Sequence, residues 1–159
     1  MTDRMPGKSA KGKPMRDFSR SLPMALLRAR EVVMDRFRPS LRAFGITEQQ
    51  WRVLRALYDH GEMETGHLAD VCCLLTPSLS RILKHLETSG YISRRTSAED
   101  QRRSLVQIAG KGEALIVKRA PLSEQQYREI EAALGPEKIA ALYDTLDELT
   151  AALDQNEKT

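Results

Sequence analysis

Thr76-Pro77-Ser78-Leu79-Ser80-Arg81-Ile82-Leu83-Lys84-His85-Leu86-Glu87-Thr88-Ser89-Gly90 runs into Tyr91-Ile92-Ser93-Arg94-Arg95 and then, four residues later, into Asp100-Gln101-Arg102-Arg103. The first part carries the marks of a complete helix. Thr76 is placed to accept from the first free backbone N–H groups, Pro77 suits the first helical position, and Gly90 can take the left-handed conformation that closes the helix. Leu79, Ile82, Leu83 and Leu86 fall at i, i+3, i+4 and i+7, so they form one apolar stripe. The opposite face carries Pro77, Arg81, Lys84 and Thr88, flanked by Ser78, Ser80 and His85. Short side chains at one end and cations further along suit an element that approaches base edges while holding phosphates. A solvated surface helix would look the same up to this point.

The residues that follow separate the two readings. Residues 91–96 and 104–109 are short β-rich runs, and Val106 and Ile108 alternate with polar neighbours as a half-buried strand requires. The loop at 97–103 between them is almost entirely polar, with Arg94, Arg95, Arg102 and Arg103 clustered around it. An arginine at such a tip can enter a narrow minor groove, where the negative potential is strongest. Asp100 would repel phosphate by itself; two residues before Arg102 it is expected to orient that guanidinium. Helix plus basic hairpin predicts a winged helix on duplex DNA. The alternative use of such a fold, docking on another protein, fits poorly with a uniformly cationic centre.

At these residues the chain resembles the MarR family of winged-helix repressors. The order helix, Leu-Glu-x-x-Gly, arginine-bearing strand, Asp-x-Arg wing, second strand and glycine-containing start of a long helix matches that family. Upstream, Ala25-Leu26-Leu27-Arg28-Ala29-Arg30-Glu31, Phe37-Arg38-Pro39 and Thr47-Glu48-Gln49-Gln50-Trp51-Arg52 look like the branch that regulates homoprotocatechuate (4-hydroxyphenylacetate) degradation operons. The similarity covers roughly residues 22–153. One departure is visible: Ile108-Ala109-Gly110-Lys111-Gly112 lacks the threonine that usually caps the fifth helix, a loss of about 1 kcal/mol.

A chain of 159 residues that is 41% hydrophobic can bury a real core, and its 5% aromatic content fits a helix-rich fold. No apolar run is long enough to span a membrane and no secretory leader is evident, so a cytoplasmic protein is expected. The net charge of +3 hides an asymmetry. Residues 1–20 hold six basic and two acidic side chains, residues 76–110 six and three, and residues 111–159 six and ten. Positive charge collects where DNA should lie. Residues 1–20 are expected to be a disordered basic tail, and residues 21–159 a single domain with the winged-helix lobe at 46–109 and dimerisation helices at 21–45 and 110–155.

Helices are predicted at 22–43, bent or interrupted near Pro39, at 47–59 behind the capping Thr47, and at 64–73 as the first half of a helix-turn-helix. A long helix from about Gly110 should bend near Pro121, and Gly135-Pro136 separates it from the last one. There Ile139, Leu142, Leu146, Leu149 and Leu153 recur at spacings of three and four. Such a stripe serves as internal core or as a seam between subunits, and the resemblance implies the second, a homodimer built from the first, fifth and sixth helices.

No catalytic motif occurs, no cofactor is expected, and His67 with Cys72 and Cys73 matches no standard metal spacing. The adjacent cysteines are expected to be buried reduced thiols, with redox sensing as the alternative. The resemblance implies a small aromatic acid as effector. Such a ligand needs a flat apolar wall and a cation, for which Trp51, Arg30, Met24, Met34 and Phe37 are the candidates.

Overall fold

The computed structural model describes residues 15–154, and the chain divides into two compact units, 1–35 and 36–159. Most of the basic opening stretch thus lies outside the described residues. Within its remainder, Phe18–Arg20 forms one 3-10 turn. Helix α1 spans Leu22–Ala43 and passes through Pro39, so of the bend or interruption expected there the interruption does not occur. A proline removes a single intrahelical hydrogen bond, and burial of Phe37, Ser40 and Leu41 around Pro39 favours continuation of the helix past it. In the first unit no residue from Leu22 to Asp35 is buried, and Leu22, Leu26, Leu27, Val32 and Val33 are exposed.

In the second unit α2 covers Glu48–His60. Thr47 Oγ1 accepts from the Gln50 backbone N–H at 3.1 Å, and Gln50 Oε1 accepts from the Thr47 N–H at 3.0 Å, a reciprocal capping box. Helix α3 is shorter than expected, Thr65–Val71, because strand β1 takes Met63–Glu64 at its start and the left-handed Cys73 closes its end. Pairing with the sheet buries Met63 to 5% exposure, a gain that helix propensity at two residues cannot match. After α3, Cys73 adopts a left-handed φ of 50°, with its N–H donating to Asp70 O and the Leu74 N–H to Ala69 O. That closing motif sets the turn into α4.

Helix α4 is Thr76–Thr88. Its boundary residue is Leu75, extended at φ −71°, ψ 143°, so Thr76 lies inside the helix and is not the predicted cap. Pro77 moves to the second position, where its missing N–H still costs nothing. The far end closes as expected: Gly90 has φ 79°, its N–H donates to Glu87 O, and the Tyr91 N–H donates to Leu86 O. Strands β2 (Ile92–Thr96) and β3 (Ser104–Ile108) pair antiparallel with Arg94 opposite Val106, and the sheet order is β1-β3-β2. Leu54, Leu57, Leu68, Leu79, Leu83, Leu86 and Val106 are all fully buried and make one core beneath this sheet.

Helix α5, Gly110–Leu134, starts without a side-chain cap and continues through Pro121, so the bend expected there does not break it. Gly112 is a position of close approach: a Cβ on it would lie 2.4 Å from Tyr91 O and 2.7 Å from Ile108 Cγ1. After Gly135, at φ 102°, α6 runs Pro136–Asp154 with no buried residue. Its predicted stripe is half-buried at Ile139, Leu146 and Leu149 and exposed at Leu142 and Leu153.

Candidate nucleic-acid interface

Burying Leu79, Ile82, Leu83 and Leu86 fixes the rotation of α4, which leaves Thr76, Pro77, Ser80, Arg81, Lys84 and His85 exposed and Ser78 half-buried. The face is not uniform. The Ser80 hydroxyl donates to Thr76 O at 3.0 Å, and His85 Nδ1 lies 3.0 Å from Gln50 Nε2 on α2. Those two side chains are partly committed within the fold. Arg81 and Lys84 have no side-chain partner among the described residues, so their charges face outward unneutralised.

The wing departs further from the sequence reading. Asp100 Oδ1 accepts from the Arg102 backbone N–H at 2.9 Å; it shapes the turn and does not orient the guanidinium. A carboxylate on so short a side chain reaches the N–H two residues on more readily than the end of an arginine. Three of the four expected cations are also paired. Arg94 Nε donates to Glu87 at 2.7 Å, Arg95 Nε to Glu62 at 2.9 Å, and Arg103 Nε to Glu64 at 3.0 Å. Strand alternation explains the first two, since Arg94 and Arg95 leave β2 on opposite sides. The hydrogen bond from Arg95 holds the Glu62 carboxyl below the usual carboxylate range, and that from Arg94 does the same for Glu87. Among the described residues the wing therefore presents one unpaired guanidinium, Arg102, above three exposed ion pairs, where a uniformly cationic centre was expected. Exposed pairs of this kind contribute about 0–1 kcal/mol, so an arginine can trade its carboxylate for a phosphate at small cost.

A recognition helix with outward cations, a turn closed at Cys73 and a basic hairpin is a DNA-docking geometry, and residues 46–104, which contain the helix, the turn, β2 and the wing loop up to the first residue of β3, match the MarR family model. The homoprotocatechuate degradative operon repressor of Escherichia coli is 39% identical over 131 residues, 82% of this chain and 88% of that protein. The chain belongs to the MarR family. The crystal structure of the transcriptional regulator PA4135 is 44% identical with a TM-score of 0.80, over 82% of this chain and 96% of that one. NadR in complex with 4-hydroxyphenylacetate is 38% identical with a TM-score of 0.75, over 86% and 97%. This MarR-family chain is a DNA-binding transcriptional regulator. No described helix is long and apolar enough to cross a membrane, and the described residues contain no group of three potential metal ligands.

The effector candidates fall in both units. In the first, Met24 and Met34 are half-buried, and the exposed Arg30 donates from Nη1 to Glu31 at 3.0 Å. In the second, Phe37 is buried with its ring 5.0 Å from that of Tyr127, and Trp51 is half-buried. A cation does stand over Trp51, and the sequence reading missed it: the Arg119 guanidinium of α5 lies 4.3 Å from the ring centroid and is fully buried. The available signal was helical register, because Ile116, Arg119, Ser123 and Gln126 recur at three, four and three along the buried side of α5. The cysteines also divide. Cys72 is buried, and burial pushes its thiol up, whereas Cys73 is exposed and not the buried thiol that was expected.

The unequal wing arginines give a test. Arg102→Ala is expected to weaken all duplexes alike and lower the salt slope of binding by about one unit, while Arg95→Ala, whose charge Glu62 already balances, changes it less. Gel-shift titrations across salt concentrations measure both, and equal slopes for the two variants would remove the distinction.

Proposed function

We propose that this regulator is a repressor of an aromatic-acid catabolic operon, binds a near-palindromic operator as a homodimer, and releases it when a small aromatic acid binds. Repression and the acid are supported by the names of the relatives. The operator-reading assignment rests on one observation: among the described residues Arg81 and Lys84 stand without carboxylate partners on the exposed face of a helix whose other face is sealed in the core. In this reading residues 46–109 are the DNA-binding lobe and helices at 21–45 and 110–155 the dimerisation elements. The unburied apolar side chains of α6 support the second part, since a stripe left open in one chain is covered by a second copy. Such a protein works on DNA in the cytoplasm, and we assign it no catalytic step.

Arg81 is assigned to a base edge, together with Ser78, and Lys84 to phosphate. Arg81→Ala should relax preference at one base pair by about 1–3 kcal/mol, whereas Lys84→Ala should weaken all sequences equally. Competition between the selected operator and random duplex measures the two effects. A uniform loss for Arg81→Ala would move that residue to the phosphate class.

A further inference from the structure

Gln50 closes the start of α2 and reaches α4 with the same amide. Its Oε1 accepts the Thr47 backbone N–H at 3.0 Å, and its Nε2 lies 3.0 Å from Nδ1 of His85, thirty-five positions later on the recognition helix. The first bond settles the second. A backbone N–H can only donate, so Oε1 is the atom turned toward Thr47 and the NH2 group is the one turned toward the imidazole. That NH2 group can only donate as well, so Nδ1 accepts and carries no hydrogen. In the neutral ring the proton then sits on Nε2, which has no partner among the described residues. The base of the arrangement is fixed, because the Gln50 backbone N–H also donates to Thr47 Oγ1 at 3.1 Å. Gln50 is half-buried, whereas His85 is exposed on the face of α4 that carries Arg81 one turn earlier.

This ring suits a base edge better than a phosphate. A phosphate favours the imidazolium, which has two donors and a charge, but the imidazolium offers no acceptor to the Gln50 amide. A base edge asks for one directed donor. We propose that His85 reads an operator base through Nε2–H, and that Gln50 is the positioning residue that holds the ring in this tautomer and orientation. The base is a guanine, whose major-groove edge offers two acceptors, N7 and O6; cytosine offers only a donor there and is refused. The inference rests on the reading of α4 as the recognition helix and adds to it a residue of α2.

Selection of operators from random duplexes, competition binding and nitrogen-15 spectra of the histidine rings test it in the full chain. The sequence has three histidines, so His85→Ala identifies the ring signals of that residue. In mildly alkaline buffer the wild type should show an unprotonated Nδ1 and a protonated Nε2. His85→Ala should cut the discrimination of guanine from cytosine at one base pair by about fivefold or more. Its affinity for random duplex should stay within about twofold of the wild type. Gln50→Met cannot donate and should lose about threefold of the same discrimination, with both ring nitrogens partly protonated as the tautomers mix. Gln50→Glu retains the reciprocal cap with Thr47 and should melt with the wild type, yet it turns an acceptor toward Nδ1 and should bring a proton onto it. That variant carries the test should Gln50→Met fail to fold. A protonated Nδ1 in the wild type, or an Nδ1 signal unmoved in Gln50→Glu, overturns the role of Gln50. An equal loss for every duplex in His85→Ala assigns the ring to phosphate and overturns the base contact, as does no loss at any base pair. In those cases the wild type still selects an operator, and the reading of α4 stands. A wild type that selects none overturns both.

Discussion

Replacing Leu146 and Leu149 together with Asp is expected to abolish operator binding while leaving the chain folded. Both leucines are only half-buried, and α6 contributes no buried residue to the core, so the fold does not depend on them. In a dimer seam two charges per subunit would be desolvated without partners, at a cost of several kcal/mol, roughly the scale of the largest single-site effects. One winged helix reads too few base pairs to select a site, whereas a two-fold pair doubles the contacts across adjacent half-sites. Sedimentation should show a monomer with near-native helix content, and gel shifts should show only weak, salt-sensitive binding. A monomer that still bound a palindromic operator with unchanged affinity would contradict the role given to α6.

The second large effect is predicted at Gly112. A side chain there meets Tyr91 O at 2.4 Å and Ile108 Cγ1 at 2.7 Å, distances at which backbone must move. Tyr91 O also accepts the Ala109 N–H at 2.9 Å, so the contact ties the start of α5 to the entrance of β2. Gly112→Ala should cost about 1–3 kcal/mol and Gly112→Val more, by the same overpacking that penalises any enlarged core residue. Gly110→Ala is the control, since nothing lies within 4 Å of its Cβ. Thermal melts of the three variants should show the first two several degrees lower and the third unchanged or higher. Equal melting points for Gly110→Ala and Gly112→Ala would show that α5 can shift off the hairpin without penalty.

The features legible in the sequence were those with a local cause. The stripe of α4, the Thr47 cap, Gly90 and the alternation of β3 each follow from spacing or backbone freedom over a few residues. Strand β1 was invisible because two residues carry no period, and only pairing with Val106 and Leu105 draws Met63–Glu64 away from α3. The same pairing explains the wing. Glu62 and Glu64 lie more than thirty positions from Arg95 and Arg103, so their neutralising effect depends on a register that no local pattern encodes. Arg119 was hidden for another reason. A basic residue on a long helix is normally solvated, and its burial becomes apparent only when Trp51, Ser40 and Gln126 are seen around it. Asp100 shows the limit of motif reading: the spacing to Arg102 was right, but the group that answers it is the backbone.

The central claim is that two copies of this chain read one two-fold operator through α4 and the wing. Selection of bound duplexes from a random pool by the full-length protein, followed by sedimentation of the complex with the selected site, tests it most directly. The account predicts a near-palindrome with half-sites about one helical turn apart, occupied by two chains and released by 4-hydroxyphenylacetate or a similar aromatic acid. A selected site without two-fold symmetry, or one saturated by a single chain, would contradict it.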